Sequence, residues 1–97
     1  MPVEVRVHPD AQRELRAAFL WYSDRNRLVA ESFRAEAEHA IEAIAKDPNR
    51  WPELTGSERR YVFPRFPFTA VYRVKLKYVE VLAIAHQKRR PGYWNEK

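Results

Sequence analysis

Arg59-Arg60-Tyr61-Val62-Phe63-Pro64-Arg65-Phe66-Pro67-Phe68-Thr69-Ala70-Val71-Tyr72-Arg73-Val74 is the stretch that decides the fold class. Its two ends, Arg59 to Phe63 and Phe68 to Val74, are rich in aromatic and β-branched residues, which suit a pleated, half-buried surface. Pro64-Arg65-Phe66-Pro67 between them is short enough for a hairpin. A third run of the same kind, Val79 to His86, follows across Lys75-Leu76-Lys77-Tyr78. The three runs predict an antiparallel meander.

Upstream the period changes. Ala11, Leu15, Ala18, Phe19 and Tyr22 recur at helical spacing and form one apolar stripe. Pro9 suits a first helical turn and Asp10 the positive end of the helix dipole, so His8-Pro9-Asp10 starts this helix. Ser23-Asp24-Arg25-Asn26 is a turn, and Val29, Phe33, Ala37, Ala40, Ile41 and Ile44 mark a second helix antiparallel to the first. Asp47-Pro48-Asn49 ends it, and Glu31, Glu36, Glu38 and Glu42 are expected on its solvated face. Ahead of both helices, Val3, Val5 and Val7 alternate with Glu4 and Arg6 in the period of a strand. The expected fold is α+β: an N-terminal strand, an antiparallel helix hairpin and a three-stranded meander. The helices should pack on one face of a four-stranded sheet, with residues 1–97 forming a single domain.

Charge is divided unevenly along the chain. Residues 1–50 carry eight Lys or Arg against nine Asp or Glu, and residues 51–97 carry ten against four. The whole net charge of +5 therefore comes from the second half, where attraction for an acidic peptide or a nucleic acid would concentrate. The chain has no cysteine, which excludes disulfides and thiolate metal sites and permits a cytoplasmic location. Met1-Pro2-Val3-Glu4-Val5-Arg6 does not read as a signal peptide, and no apolar run is long enough to span a membrane.

The last strand empties into Lys88-Arg89-Arg90-Pro91-Gly92-Tyr93-Trp94, three cations, a chain break and two aromatics. Pro91-Gly92 prevents the tail from continuing the strand. His86 stands at the end of that strand, either as an acid or base or as a hydrogen-bonded structural residue. His8 and His39 lack a second ligand at metal spacing, so no metal and no cofactor is expected. Arg59 and Arg60 are candidate partner contacts or the polar start of a strand, and Arg65 and Phe66 at a loop tip are better placed for contact than for packing, with Phe66 folding back onto the core as its alternative. Tyr93 and Trp94 either cap the sheet or touch a target, and Trp21 and Tyr22, adjacent on the first helix, cannot both face one core.

Pro48-Asn49-Arg50-Trp51-Pro52, Arg59 to Phe68, Val71-Tyr72-Arg73-Val74, Leu82 to His86 and Arg89-Arg90-Pro91-Gly92-Tyr93-Trp94, taken in order, resemble the RelE/ParE family of toxins. These belong to bacterial type II toxin–antitoxin modules, long labelled plasmid stabilisation systems. The resemblance implies a small toxin neutralised in a hetero-oligomer with a cognate antitoxin, whose release attacks DNA gyrase or messenger RNA on the ribosome. The ribosome-dependent RNases of the family carry basic residues on the first meander strand and an arginine on the second. Those places fall here on Val62 and Thr69. Arg60, His86, Arg89 and Tyr93 remain as candidates for RNase chemistry, an incomplete set, and the departure resembles the gyrase-directed ParE branch instead. A non-toxic basic binding module is a further alternative. Arg59, Arg60, Arg65, Phe66, Arg73, Lys75, Arg89, Arg90 and Trp94 are the expected contacts for target or antitoxin. An acidic antitoxin tail would lie beside the helix hairpin or add to an edge strand.

Overall fold

The computed structural model describes residues 2–95, so Met1 of the quoted N-terminal stretch lies outside the described residues. Element order follows the sequence reading: β1 (Val5–Val7), α1 (Pro9–Ser23), α2 (Arg27–Lys46), β2 (Glu58–Val62), β3 (Phe68–Val74) and β4 (Val79–His86), then a 3₁₀ turn at Tyr93–Asn95. The strands lie in the order β1-β4-β3-β2. β2, β3 and β4 form the expected antiparallel meander, while β1 runs parallel to β4. β1 and β2 run in the same direction at opposite edges of the sheet, and the helix hairpin carries the chain across between them.

Both helices begin on side-chain caps. His8 accepts the Asp10 N–H on Nδ1 at 3.0 Å, and Pro9 fills the first turn. Asn26 Oδ1 accepts from the N–H groups of Leu28 and Val29, which starts α2 after a link of three residues. The core between hairpin and sheet gathers Phe33, Ile44, Tyr61, Phe63, Phe68, Tyr72, Val79, Val81 and Ile84. A register irregularity at Val71/Tyr72 pairs these neighbours with Ala83 and Val81, skipping Leu82.

The structure departs from the sequence reading at four places. Val3 lies before β1 and is largely exposed, its N–H spent on the Ala45 carbonyl near the end of α2 rather than on a strand. Val29 is likewise exposed, and Ala30 is buried in its stead. Glu36, expected on the solvated face of α2, is only 6% exposed. Its carboxylate accepts from the Arg65 N–H (2.9 Å), the Phe66 N–H (3.2 Å) and Arg65 Nε (3.1 Å). Phe66, expected at a contact tip, is thereby drawn inward, with its ring 5.2 Å from that of Tyr22 and 5.4 Å from that of Phe33. A buried carboxylate requires donors, and the tight Pro64–Pro67 loop presents two backbone N–H groups that no strand partner takes.

Candidate functional site

The features singled out in the tail converge around Glu14, a residue of α1 that sequence reasoning passed over. β1 covers only the first three residues of β4, so the outer edge of β4 is open beyond Val81. Glu14 Oε1 accepts the N–H of Ile84 on that edge at 2.8 Å, and Oε2 accepts the Tyr93 hydroxyl. Arg89 places its guanidinium over the Tyr93 ring, 3.8 Å from the centroid, with Nη1 3.9 Å from Glu14 Oε2. Burial, the Glu14 hydrogen bond and the Glu14 charge all raise the Tyr93 pKa above its ordinary value. The hydroxyl is held as a donor and is a poor source of acid at neutral pH.

A second acidic residue organises the face of the sheet turned away from the helices. Glu58 is 4% exposed. Its Oε2 accepts from Arg73 Nη2 at 2.8 Å and its Oε1 from Trp94 Nε1 at 3.1 Å. The tail thus crosses the sheet from the end of β4 to the start of β2. Pro91, Gly92 and Trp94 line a hollow of about 490 Å³ there, together with Arg60, Thr69, Val71, Ala85, His86 and Arg89. Val71 and Ala83 pair with each other and are each 1% exposed although they stand outside the core between helices and sheet.

On the helix side of the same strand end, a cleft of about 570 Å³ opens between α1 and β4. Ala17, Ala18, Trp21, Tyr22, Pro67, Phe68 and Ile84 form its walls, with His86, Arg89, Tyr93 and Glu14 at its polar end. His86 accepts the Lys88 N–H on Nδ1 at 3.1 Å, which leaves Nε2 as the protonated nitrogen of the neutral ring. Its ring meets Phe68 edge-on at 5.1 Å.

The four RNase candidates do not share one chamber. Arg60 lines the hollow on the open face, Tyr93 lines the cleft on the helix side, and only His86 and Arg89 border both. Val62 and Thr69 are direct partners in the β2–β3 register, and Val62 is 51% exposed. A neutral pair therefore occupies that part of the open face.

The expected contact residues divide in the same way. Arg59 donates Nη1 to the carbonyls of Trp51 (2.7 Å) and Asn49 (3.2 Å), so it anchors the loop after α2. Arg73 is committed to Glu58 and Arg65 to Glu36, although the Arg65 side chain stays largely in solvent. Arg60, Lys75, Arg89 and Arg90 are exposed, Trp94 is half-buried, and Phe66 is packed inward. Trp21 is 53% exposed beside a packed Tyr22, as two neighbouring aromatics on one helix require. Among the described residues no group of three or more His, Asp or Glu side chains is poised to hold a metal ion, and no helix is long and apolar enough to cross a membrane.

Glu36 was legible after all. It lies three residues after Phe33 and four before Ala40, which puts it on the apolar stripe. Glu14 and Glu58 carried no local signal, because their partners Tyr93 and Trp94 lie 79 and 36 residues away.

These features describe a small basic α+β protein with a helix hairpin over a meander and a tail wrapped around one sheet edge. The same architecture occurs in the chromosomal ParDE toxin–antitoxin system from P. aeruginosa, with a TM-score of 0.77 at 20% identity over 87% of this chain and 95% of that one. Residues 5–91 match the family described as ParE toxin of type II toxin-antitoxin system, parDE, and the chain belongs to that family. No curated protein sequence matches it.

Proposed function

We propose that this chain is a cytoplasmic toxin that acts by binding and poisoning DNA gyrase, and that an acidic antitoxin holds it inactive in a hetero-oligomer. The observation that carries the gyrase reading is the neutral Val62–Thr69 pair, at the two places where the RNase branch concentrates positive charge. Metal-free RNA cleavage needs a base, a cation for the phosphate and an acid around one phosphodiester. Here Tyr93 is turned to Glu14 and away from Arg60, which favours a protein-binding poison over an RNase. The membership in the ParE family supports neutralisation by an antitoxin.

Inducible expression with a DNA-damage reporter, followed by a purified assay for gyrase–DNA cleavage complexes, tests the proposal. Reporter induction together with trapped cleavage complexes is the expected result. Loss of ribosome-bound messenger RNA without a damage response, abolished by Arg89→Ala, would transfer the chain to the RNase reading. Unimpaired growth would transfer it to the non-toxic binding module.

A further inference from the structure

The face of the sheet turned away from the helices is divided into two unlike halves. Arg6, Glu80, Arg73 and Glu58 stand in one row across all four strands, each in register with the next. Their strand neighbours Val5, Val79 and Tyr72 pack in or against the core, which puts the row on the opposite face. Its signs alternate, so adjacent charges offset one another, with Arg73 on Glu58 at 2.8 Å and Arg6 also on Glu4 at 2.8 Å.

Towards the other end of the strands the face turns apolar. Thr69 and Ala85 are register partners, Val71 lies two residues further along β3, and all three line the hollow of about 490 Å³ that the tail residues Pro91, Gly92 and Trp94 border. Val62 continues this surface on β2 and is 51% exposed. Arg60 lines the same hollow and is exposed, and among the described residues its guanidinium makes no ion pair or hydrogen bond. Arg89, the other cation there, already stands beside Glu14.

We propose that this apolar half, with Arg60 at its rim, is the surface that holds the toxin's target, a protein patch that seats an apolar side chain in the hollow and sets a carboxylate against Arg60. The inference rests on the gyrase reading above and names where on this chain gyrase is held. An arginine and a tryptophan bordering a recess are the residue types that dominate binding energy in protein interfaces. Covering Arg60 without giving it an anion is costly, so the partner must bring a carboxylate. Nucleic acid fits less well. A phosphate backbone needs several uncommitted cations along its path, and this hollow offers Arg60 with the carboxylate of Glu58 in the same lining.

Arg60 and Val62 are both exposed, so each can be changed without opening the core. With the full chain and purified gyrase, Arg60→Glu should weaken both binding and the trapping of cleavage complexes about tenfold, and Val62→Ser about threefold. Lys77→Glu makes the same change of charge in the turn before β4, at the far end of that strand from the hollow, and should stay within about twofold of the parent. Circular dichroism of each variant establishes that the fold is kept. If the parent traps cleavage complexes and Arg60→Glu and Val62→Ser trap them equally well, this face is not the contact and the gyrase reading stands. The same conclusion follows if Lys77→Glu loses as much as Arg60→Glu, since total charge then explains the effect. A parent chain that neither binds gyrase nor traps it overturns the gyrase reading and this inference with it. Loss of ribosome-bound messenger RNA that Arg60→Glu abolishes would assign the face to RNA instead.

Discussion

Three carboxylates, Glu14, Glu36 and Glu58, hold the irregular parts of this molecule to its regular ones. Glu36 satisfies two backbone N–H groups of the Pro64–Pro67 loop that would otherwise be buried without acceptors. Glu36→Ala should cost about 2 kcal/mol and lower Tm by roughly 10 °C, with Glu36→Gln retaining part of that because it keeps an acceptor. Thermal unfolding by circular dichroism checks this, and an unchanged midpoint for Glu36→Ala would contradict the role assigned to it. Glu14 is tested differently, because its loss should loosen the tail rather than the core. In Tyr93→Phe the ring stays but the hydroxyl that binds Glu14 is removed. Trypsin should then cut after Lys88 and Arg89 about threefold to tenfold faster than in the parent, since cleavage follows the population of the locally opened tail. Equal cleavage rates would mean that the Glu14 contact does not secure this segment.

Among the elements, helix starts and strand periods were the most legible features. His8-Pro9-Asp10 announces the first helix because a helix start is a local transaction between residues two apart, and the polar turn Ser23-Asp24-Arg25-Asn26 announces the second, whose first N–H groups Asn26 is found to cap in the structure. Asn26→Ala should therefore cost about 1 kcal/mol, or roughly 5 °C in Tm, measurable in the same unfolding experiment. The meander was legible for a similar reason, since aromatic and β-branched runs of five to eight residues separated by short turns leave few other arrangements. Less of the candidate site was legible. His86 and Arg89 were found from their place after β4, but the separation of Arg60 from Tyr93 depends on which side of the β4 edge each part of the tail passes. The arginines of the meander read alike in sequence, and the fold makes Arg59 and Arg73 structural while leaving Arg60 in solvent.

At the scale of the whole molecule, alkaline pH reports on how tightly the layers enclose their tyrosines. Tyr72 is fully buried with its hydroxyl donating to the Pro48 carbonyl at 2.5 Å, and burial pushes its pKa up from 10.0 to about 12. Tyr93, Tyr22 and Tyr61 are raised as well, chiefly by burial. A folded-state pKa above the unfolded value of about 10 means that the folded chain keeps protons the unfolded chain has lost. Their contribution is therefore complete below about pH 10 and declines as pH rises towards about 12. Urea midpoints should be flat up to about pH 9 and then fall, and Tyr72→Phe should flatten that fall. A midpoint that holds steady to about pH 12 would refute the burial argument. The sequence by itself determined the class of fold, its order of elements, its basic second half and its likeness to this toxin family, because periodicity, capping and turn chemistry act over a few residues. Only the tertiary structure decided which charges are spent internally and which face a partner. Burying a carboxylate demands donors, and those for Glu14, with Trp94 of the two for Glu58, come from the far end of the chain.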